Sequence, residues 1–182
     1  GEGLSGTGPK AGGPHYLPRF TAQITPQTDE TWDRAADIKA LHKRIAQADT
    51  PAGAEPVDLP GPTGESNRHS THPRGPILCM GPGAKTAQNQ MVAVNDLGGI
   101  AISTEGDISP AQLCDLPALG GVIWWGDEAT GRTIETALSQ RDGPIVALIT
   151  GAPDAAQVLH ERHVCIDTTA AGGNAALLAE VA

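Results

Sequence analysis

Aromatic side chains are scarce: Tyr16, Phe20, Trp32, Trp124 and Trp125 are all that 182 residues contain. A core must therefore be assembled from Val, Ile, Leu and Ala. Basic clusters are missing too. Twelve Lys and Arg stand against 21 Asp and Glu, for a net charge of −9, which argues against a nucleic-acid or anionic-membrane partner. No apolar run approaches the roughly 18 residues of a membrane span, and no stretch has the pattern of a secretory signal. Cysteine is limited to Cys79, Cys114 and Cys165, an odd and widely spaced set that excludes a disulfide framework. Two of them sit in the apolar runs "PILCM" and "HVCI" and read as reduced core thiols. A soluble, cytoplasmic protein is expected.

What the chain has in quantity is glycine and proline, 23 and 15 residues, so turns and loops should take up much of it. Residues 1–27 open with the glycine-rich "GEGLSGTGPKAGGPH" and continue as an extended stretch that Pro18 interrupts, suited to an edge strand or an arm. Residues 28–48 predict one amphipathic helix. Ala35, Ile38, Leu41 and Ile45 fall at helical spacing, Trp32 extends the apolar face, and Asp29, Glu30, Lys43 and Arg44 match the macrodipole. The proline- and glycine-rich residues 49–67 read as a linker.

From 68 to 166, short apolar runs alternate with helical stretches. The runs "PILCM", "GIAIS", "GVIWW", "PIVALI" and "HVCI" are continuous rather than alternating, as strands buried on both faces should be. The intervals leave room for crossover helices over 84–96, 109–116, 127–140 and 152–161. The fold class is thus α/β: a Rossmann-like parallel sheet of about five strands with helices on both faces, preceded by one amphipathic helix. Residues 167–182 do not continue the pattern.

Candidate chemistry concentrates where the first strand of this region turns into its helix, "CMGPGAKTA". There a dinucleotide-binding fold places glycines so that backbone N–H groups and a helix N-terminus meet a pyrophosphate. Gly81 and Gly83 supply two glycines, and Lys85 and Thr86 complete a weak nucleotide-binding loop, with Glu105 or Asp107 as the ribose acid. Against it, Pro82 lacks a donor and Thr86 stands where the third glycine belongs. The bland alternative is a degenerate domain of the same fold.

The pairs His69/His72 and His160/His163 have i, i+3 spacing, but no cysteine sits at ligand spacing and no general-base glutamate follows the H-E-x-x-H pattern. "GLSGT" (3–7) matches a nucleophile elbow only superficially, and the cysteines in apolar runs are poor nucleophiles. No catalytic, metal or cofactor-binding set emerges. Core is the default for both tryptophans of "IWWG".

The two ends share a character: small residues with little apolar surface to offset the ordering of their glycines. They suit close backbone approach to a larger body, as in a piece of a longer protein.

"GEGLSGTGPKAGGPHYL" resembles the closing stretch of the aldehyde dehydrogenase module of the proline utilization A family. "LPGPTGESN" followed by "PRGPILCMGPG" resembles the start of the extra C-terminal domain of its longer members, and "TTAAGGNAALL" (168–178) resembles their terminal motif. The chain has Ile166-Asp167 where the family pattern has Val-Asn.

The resemblance implies a bacterial, cytoplasmic, bifunctional oxidoreductase, able to associate peripherally with the membrane. Such an enzyme oxidises proline with FAD and the derived semialdehyde to glutamate with NAD, passing the intermediate through an internal cavity. It implies that residues 1–27 end the aldehyde dehydrogenase module, that 68–166 form a degenerate Rossmann-like domain without cofactor, and that 167–182 dock on the remainder of the polypeptide. A homo-oligomer is compatible with it. The implied docking residues are Gly12, Gly13, Pro14, His15, Tyr16, Thr168, Thr169, Ala170, Gly172, Gly173, Asn174, Leu177 and Leu178.

Overall fold

The computed structural model describes residue 9, residues 11–21 and residues 28–167. In chain order the described elements are a 3-10 turn (Leu17–Phe20), α1 (Ile38–Ala46), β1 (Val57–Leu59), β2 (Glu65–Pro73), β3 (Ile77–Cys79), α2 (Ala84–Asp96), β4 (Ala101–Ser103), α3 (Pro110–Cys114), β5 (Gly121–Ile123), α4 (Glu128–Ser139), β6 (Leu148–Ile149), α5 (Ala155–Val158) and β7 (Leu159–Asp167). They divide into two compact units. One comprises 73–160 with the described residues up to 51; the other comprises 52–72 and 161–167.

The first unit is α/β. Its parallel sheet has the order β4-β3-β5-β6, in register through Leu78 with Ile102 and Val122, and through Ile123 with Ile149. β3 and β5 are buried at every residue, because successive side chains serve two separate cores. Leu78, Ile102 and Val122 join Leu41, Ile45, Leu113, Ile134 and Leu138 on one face. Ile77, Ile123 and Ile149 join Val94 and Val158 on the other. Each fully buried aliphatic side chain stabilises by about 1.5–3 kcal/mol.

Among the described residues this unit has four parallel strands where five were expected. The fifth run, "HVCI", belongs to β7, in a three-stranded sheet of order β1-β2-β7. The sequence around it, "LHERHVCID", mixes charged and apolar residues and is half-exposed along its length, so it cannot occupy a strand covered on both faces. Cys165 is accordingly exposed rather than a core thiol.

The helix expected over 28–48 is confined to Ile38–Ala46. Asp37 caps it, its carboxylate accepting from Ala40 N at 3.0 Å. Residues 28–37 instead run as a strap described below. The expected helix over 152–161 likewise shrinks to Ala155–Val158 behind an Asp154/Gln157 capping box, since the chain turns extended at Leu159 to begin β7.

Residues 49–67 are not all linker. Val57↔His69 and Leu59↔Asn67 pair antiparallel across a turn in which Glu65 N donates to Pro62 O and Gly64 takes φ +87°. Within this second unit His69 Nε2 lies 3.3 Å from Glu161 Oε1, joining β2 to β7.

One cation organises the end of α3. The Arg141 guanidinium donates to the carbonyls of Leu113 and Cys114 at the end of α3 and of Leu116 and Pro117 in the loop that follows, satisfying helix-end and loop acceptors together. Arg141→Ala should lower unfolding free energy by roughly 1.5–3 kcal/mol in urea titrations, and Arg141→Lys, which offers a single nitrogen, should not restore it. Full stability of the alanine variant would show that water replaces the guanidinium.

Candidate functional site

The loop after β3 carries the only phosphate-binding signal the sequence offered, and its local geometry is as the glycines suggested. Gly81 and Gly83 take φ of +94° and +74°, and α2 starts at Ala84. The loop's polar groups are engaged by the chain's own side chains. Gln90, fully buried, accepts from Gly81 N at 2.9 Å and donates to Gly81 O at 2.7 Å. Trp32 Nε1 donates to Met80 O at 2.8 Å.

At the N-terminus of α2, Glu30 Oε2 accepts from Thr86 N at 3.0 Å and from Thr86 Oγ1 at 2.9 Å. A carboxylate therefore stands where such a loop presents its donors to phosphate, stabilised by the same N–H groups and helix dipole. A Cβ on Gly83 would lie 2.8 Å from Glu30 Cβ. The close approach that this glycine permits is thus made by residues 30–31.

The strap continues across the strand ends. Asp107 N donates to Arg34 O and Ala36 N to Asp107 O, both at 2.8 Å. Arg34 Nε donates to Glu105 O at 2.9 Å, and Arg44 Nη1 meets Glu105 Oε1 at 2.8 Å. These contacts hold Glu105 at φ +56°, a left-handed conformation that costs a non-glycine residue of order 1–3 kcal/mol. Of the two acids proposed for a ribose, Glu105 is ion-paired to Arg44, while Asp107 is exposed. Lys85 is exposed and Thr86 is buried against Glu30.

The sequence assigned Glu30 and Trp32 to a helix and gave Gln90 no role. Asp37 directly before Ile38 is as good an N-cap as Asp29, so the sequence also allowed a helix starting at 38, which leaves "DETWDR" free for tertiary contacts.

His69 faces Glu161, and His72 Nε2 lies 3.2 Å from Ser70 Oγ. His160 and His163 lie in β7. Among the described residues no group of three or more His, Cys, Asp or Glu could hold a metal. Gly12 to Tyr16 form turns in which Tyr16 N donates to Gly13 O, followed by Leu17 and Phe20, 77% and 71% exposed. Thr168 to Leu178 and "GLSGT" lie outside the described residues.

Trp124 and Trp125, both half-buried, donate their indole N–H groups to Asp127 O at 3.0 Å and Gly151 O at 2.8 Å. Each flanks a different core.

Burial pushes the Cys79 thiol up to about 12, against a smaller lowering by a backbone hydrogen bond at Ile102. This thiol is no nucleophile. Because its folded value exceeds the ordinary 9.0, its contribution to stability is complete below pH 9 and is lost as pH rises from there toward 12. Cys79→Ala should therefore show a shallower alkaline loss of stability than wild type in urea titrations across that range. In the native protein, iodoacetamide should label Cys165 and spare Cys79. Rapid alkylation of Cys79 would contradict its burial.

Glu30→Ala should cost about 1.5–3 kcal/mol, the range of hydrogen bonds to a charged group, and Trp32→Phe about 1 kcal/mol, both read by chemical denaturation. Wild-type stability in both variants would mean that the strap contributes nothing.

No family model matches the chain. Among curated proteins it is 32% identical over 230 residues to the bifunctional protein PutA of Salmonella typhimurium, covering 98% of the chain and 17% of that protein. It is 31% identical to that of Escherichia coli, with the same coverage, and 33% identical to that of Rhizobium meliloti, covering 98% of the chain and 18% of the relative. The chain thus spans less than a fifth of the length of these relatives. Among solved structures, a variant of Bradyrhizobium japonicum proline utilization A is 26% identical over 53% of the chain and 13% of its own, with a TM-score of 0.37. A further bifunctional PutA is 24% identical over 62% and 14%, with a TM-score of 0.42. By sequence, the chain belongs to the PutA family of bifunctional proline utilization A proteins.

Proposed function

We propose that this chain is the non-catalytic C-terminal region of a bifunctional proline-catabolic enzyme, serving as lid of its channelling cavity and scaffold for its aldehyde dehydrogenase module. The parent would oxidise proline with FAD. Hydrolysis of the resulting pyrroline carboxylate would give a semialdehyde, which NAD would oxidise to glutamate. None of this chain's residues is assigned to either cofactor.

One observation carries the reading. In the loop best suited to hold a nucleotide, Gly81 N is engaged by Gln90 and Thr86 N and Oγ1 by Glu30 of the same unit, in a chain that matches only 17% of a bifunctional relative. A nucleotide would have to displace Glu30 from Thr86, which makes the rival reading, a nucleotide-binding domain using Gly81–Thr86, the poorer one.

The docking role follows from the chemistry of the ends. Ala170, Gly172 and Gly173 permit backbone to approach backbone, Thr168, Thr169 and Asn174 can satisfy the polar groups so enclosed, and Leu177 and Leu178 supply apolar anchors. At the other end, Gly12 to Tyr16 lead into the exposed Leu17 and Phe20, which would be covered by the dehydrogenase module.

Deleting residues 163–182 from the intact enzyme should slow aldehyde oxidation and let intermediate accumulate in the medium, leaving proline oxidation intact. Unchanged coupled kinetics would refute the lid. Calorimetric titration of this chain with NAD and ATP should give no heat of binding; micromolar affinity for either would restore the nucleotide reading.

A further inference from the structure

From β3 the chain runs to β4 on one side and later to β5 on the other, so the order reverses between β3 and β5. The crevice beyond the carboxyl ends at such a reversal is where open α/β sheets take ligands. Here the crevice is divided. The half beside α2 is filled by the strap. The half beside α3 and α4 is an open cavity of about 470 Å³, within the range of small-molecule sites, about 300–1,000 Å³.

Its lining fixes the chemistry it can take. The apolar wall includes Met80, Leu113, Trp124 and Ile134, no Lys, Arg or His lines it, and the helix N-termini that border it are already capped by Ser109 and Asp127, so it carries no cationic side chain to neutralise an anion. The hydroxyl protons of two lining threonines are already engaged. Thr130 Oγ1 donates to Asp127 Oδ2 at 2.7 Å, and Thr133 Oγ1 donates to Ala129 O at 3.1 Å. Toward the cavity these oxygens can only accept.

The lining's one charge is Asp107. Its backbone is pinned to Arg34 and Ala36, while its carboxylate forms no ion pair with a basic group among the described residues. An indole, acceptor oxygens and an unneutralised carboxylate complement a cation with several N–H donors on an apolar body.

We propose that this cavity binds a small organic amine, with the ammonium at Asp107 and the apolar body among Met80, Leu113, Trp124 and Ile134. The site lies within the first unit and is independent of the lid-and-scaffold reading.

Benzylamine is the probe, with benzyl alcohol and benzoate as controls of the same size. The readout is the indole N–H resonance of Trp124, identified in the labelled full chain by its loss in Trp124→Phe. Benzylamine should shift it saturably in the millimolar range, benzyl alcohol should bind at least five-fold more weakly, and benzoate should not bind. Asp107→Asn, which leaves the backbone contacts in place, should weaken benzylamine five- to ten-fold and leave benzyl alcohol unchanged. Thr133→Phe, which projects a ring into the cavity, should weaken both responses while the melting curve stays cooperative. The absence of any saturable shift, equal binding of all three compounds, or an Asp107→Asn variant indistinguishable from wild type would each overturn the proposal.

Discussion

Parallel strands of three residues, buried on both faces, leave their loops with backbone groups that neither the sheet nor water can satisfy, and the first unit is arranged around that constraint. At the end of β3 the loop must turn sharply, and both Gly81 and Gly83 adopt left-handed conformations to do it. Gly81 is then closed by a buried glutamine, Met80 O by an indole, and the start of α2 by Glu30. The same problem recurs at the end of α3, where Arg141 takes up four carbonyls. In each case a polar side chain from outside the loop satisfies its backbone groups.

This has a consequence for chemistry. In a dinucleotide-binding fold the donors of the first loop are held open for a ligand, at some cost in stability. Here Gln90 takes up Gly81 N and Glu30 takes up Thr86 N, and the strap that carries Glu30 also braces Glu105 in an unfavourable conformation and pairs with Asp107. A fold can keep its architecture while its site is given over to self-packing. Membership of a bifunctional family is consistent with that, because the chain accounts for less than a fifth of its relatives' length and a segment of this size need not carry either reaction.

The second unit is built on different physics. β2 and β7 mix polar and apolar residues, and a largely buried cross-strand pair, His69 with Glu161, joins them. Its strands were hard to recognise because β1 and the start of β2 lie inside a segment whose prolines and glycines read as linker, and because β7 contains an apolar tetrapeptide that resembles a core strand when taken alone. The exposure of Cys165 shows the difference: the same kind of short apolar run buries Cys79 completely and leaves Cys165 exposed.

What the sequence determined by itself was whatever depends on neighbours along the chain. Continuous apolar runs identified β3, β4 and β5, helical periodicity identified α2 and α4, and the glycine spacing located the loop at 81–86, because burial on two faces, the 3.6-residue repeat and positive φ each leave a local imprint. Only the tertiary structure decided what fills that loop, how long α1 is, and which sheet receives 163–166. Those outcomes turn on side chains far apart in sequence. Glu30 reaches Thr86, Trp32 reaches Met80 and Glu161 reaches His69, and hydrogen bonds made at such separations outweigh the local helical preference of residues 28–37 without leaving any periodic mark in the sequence.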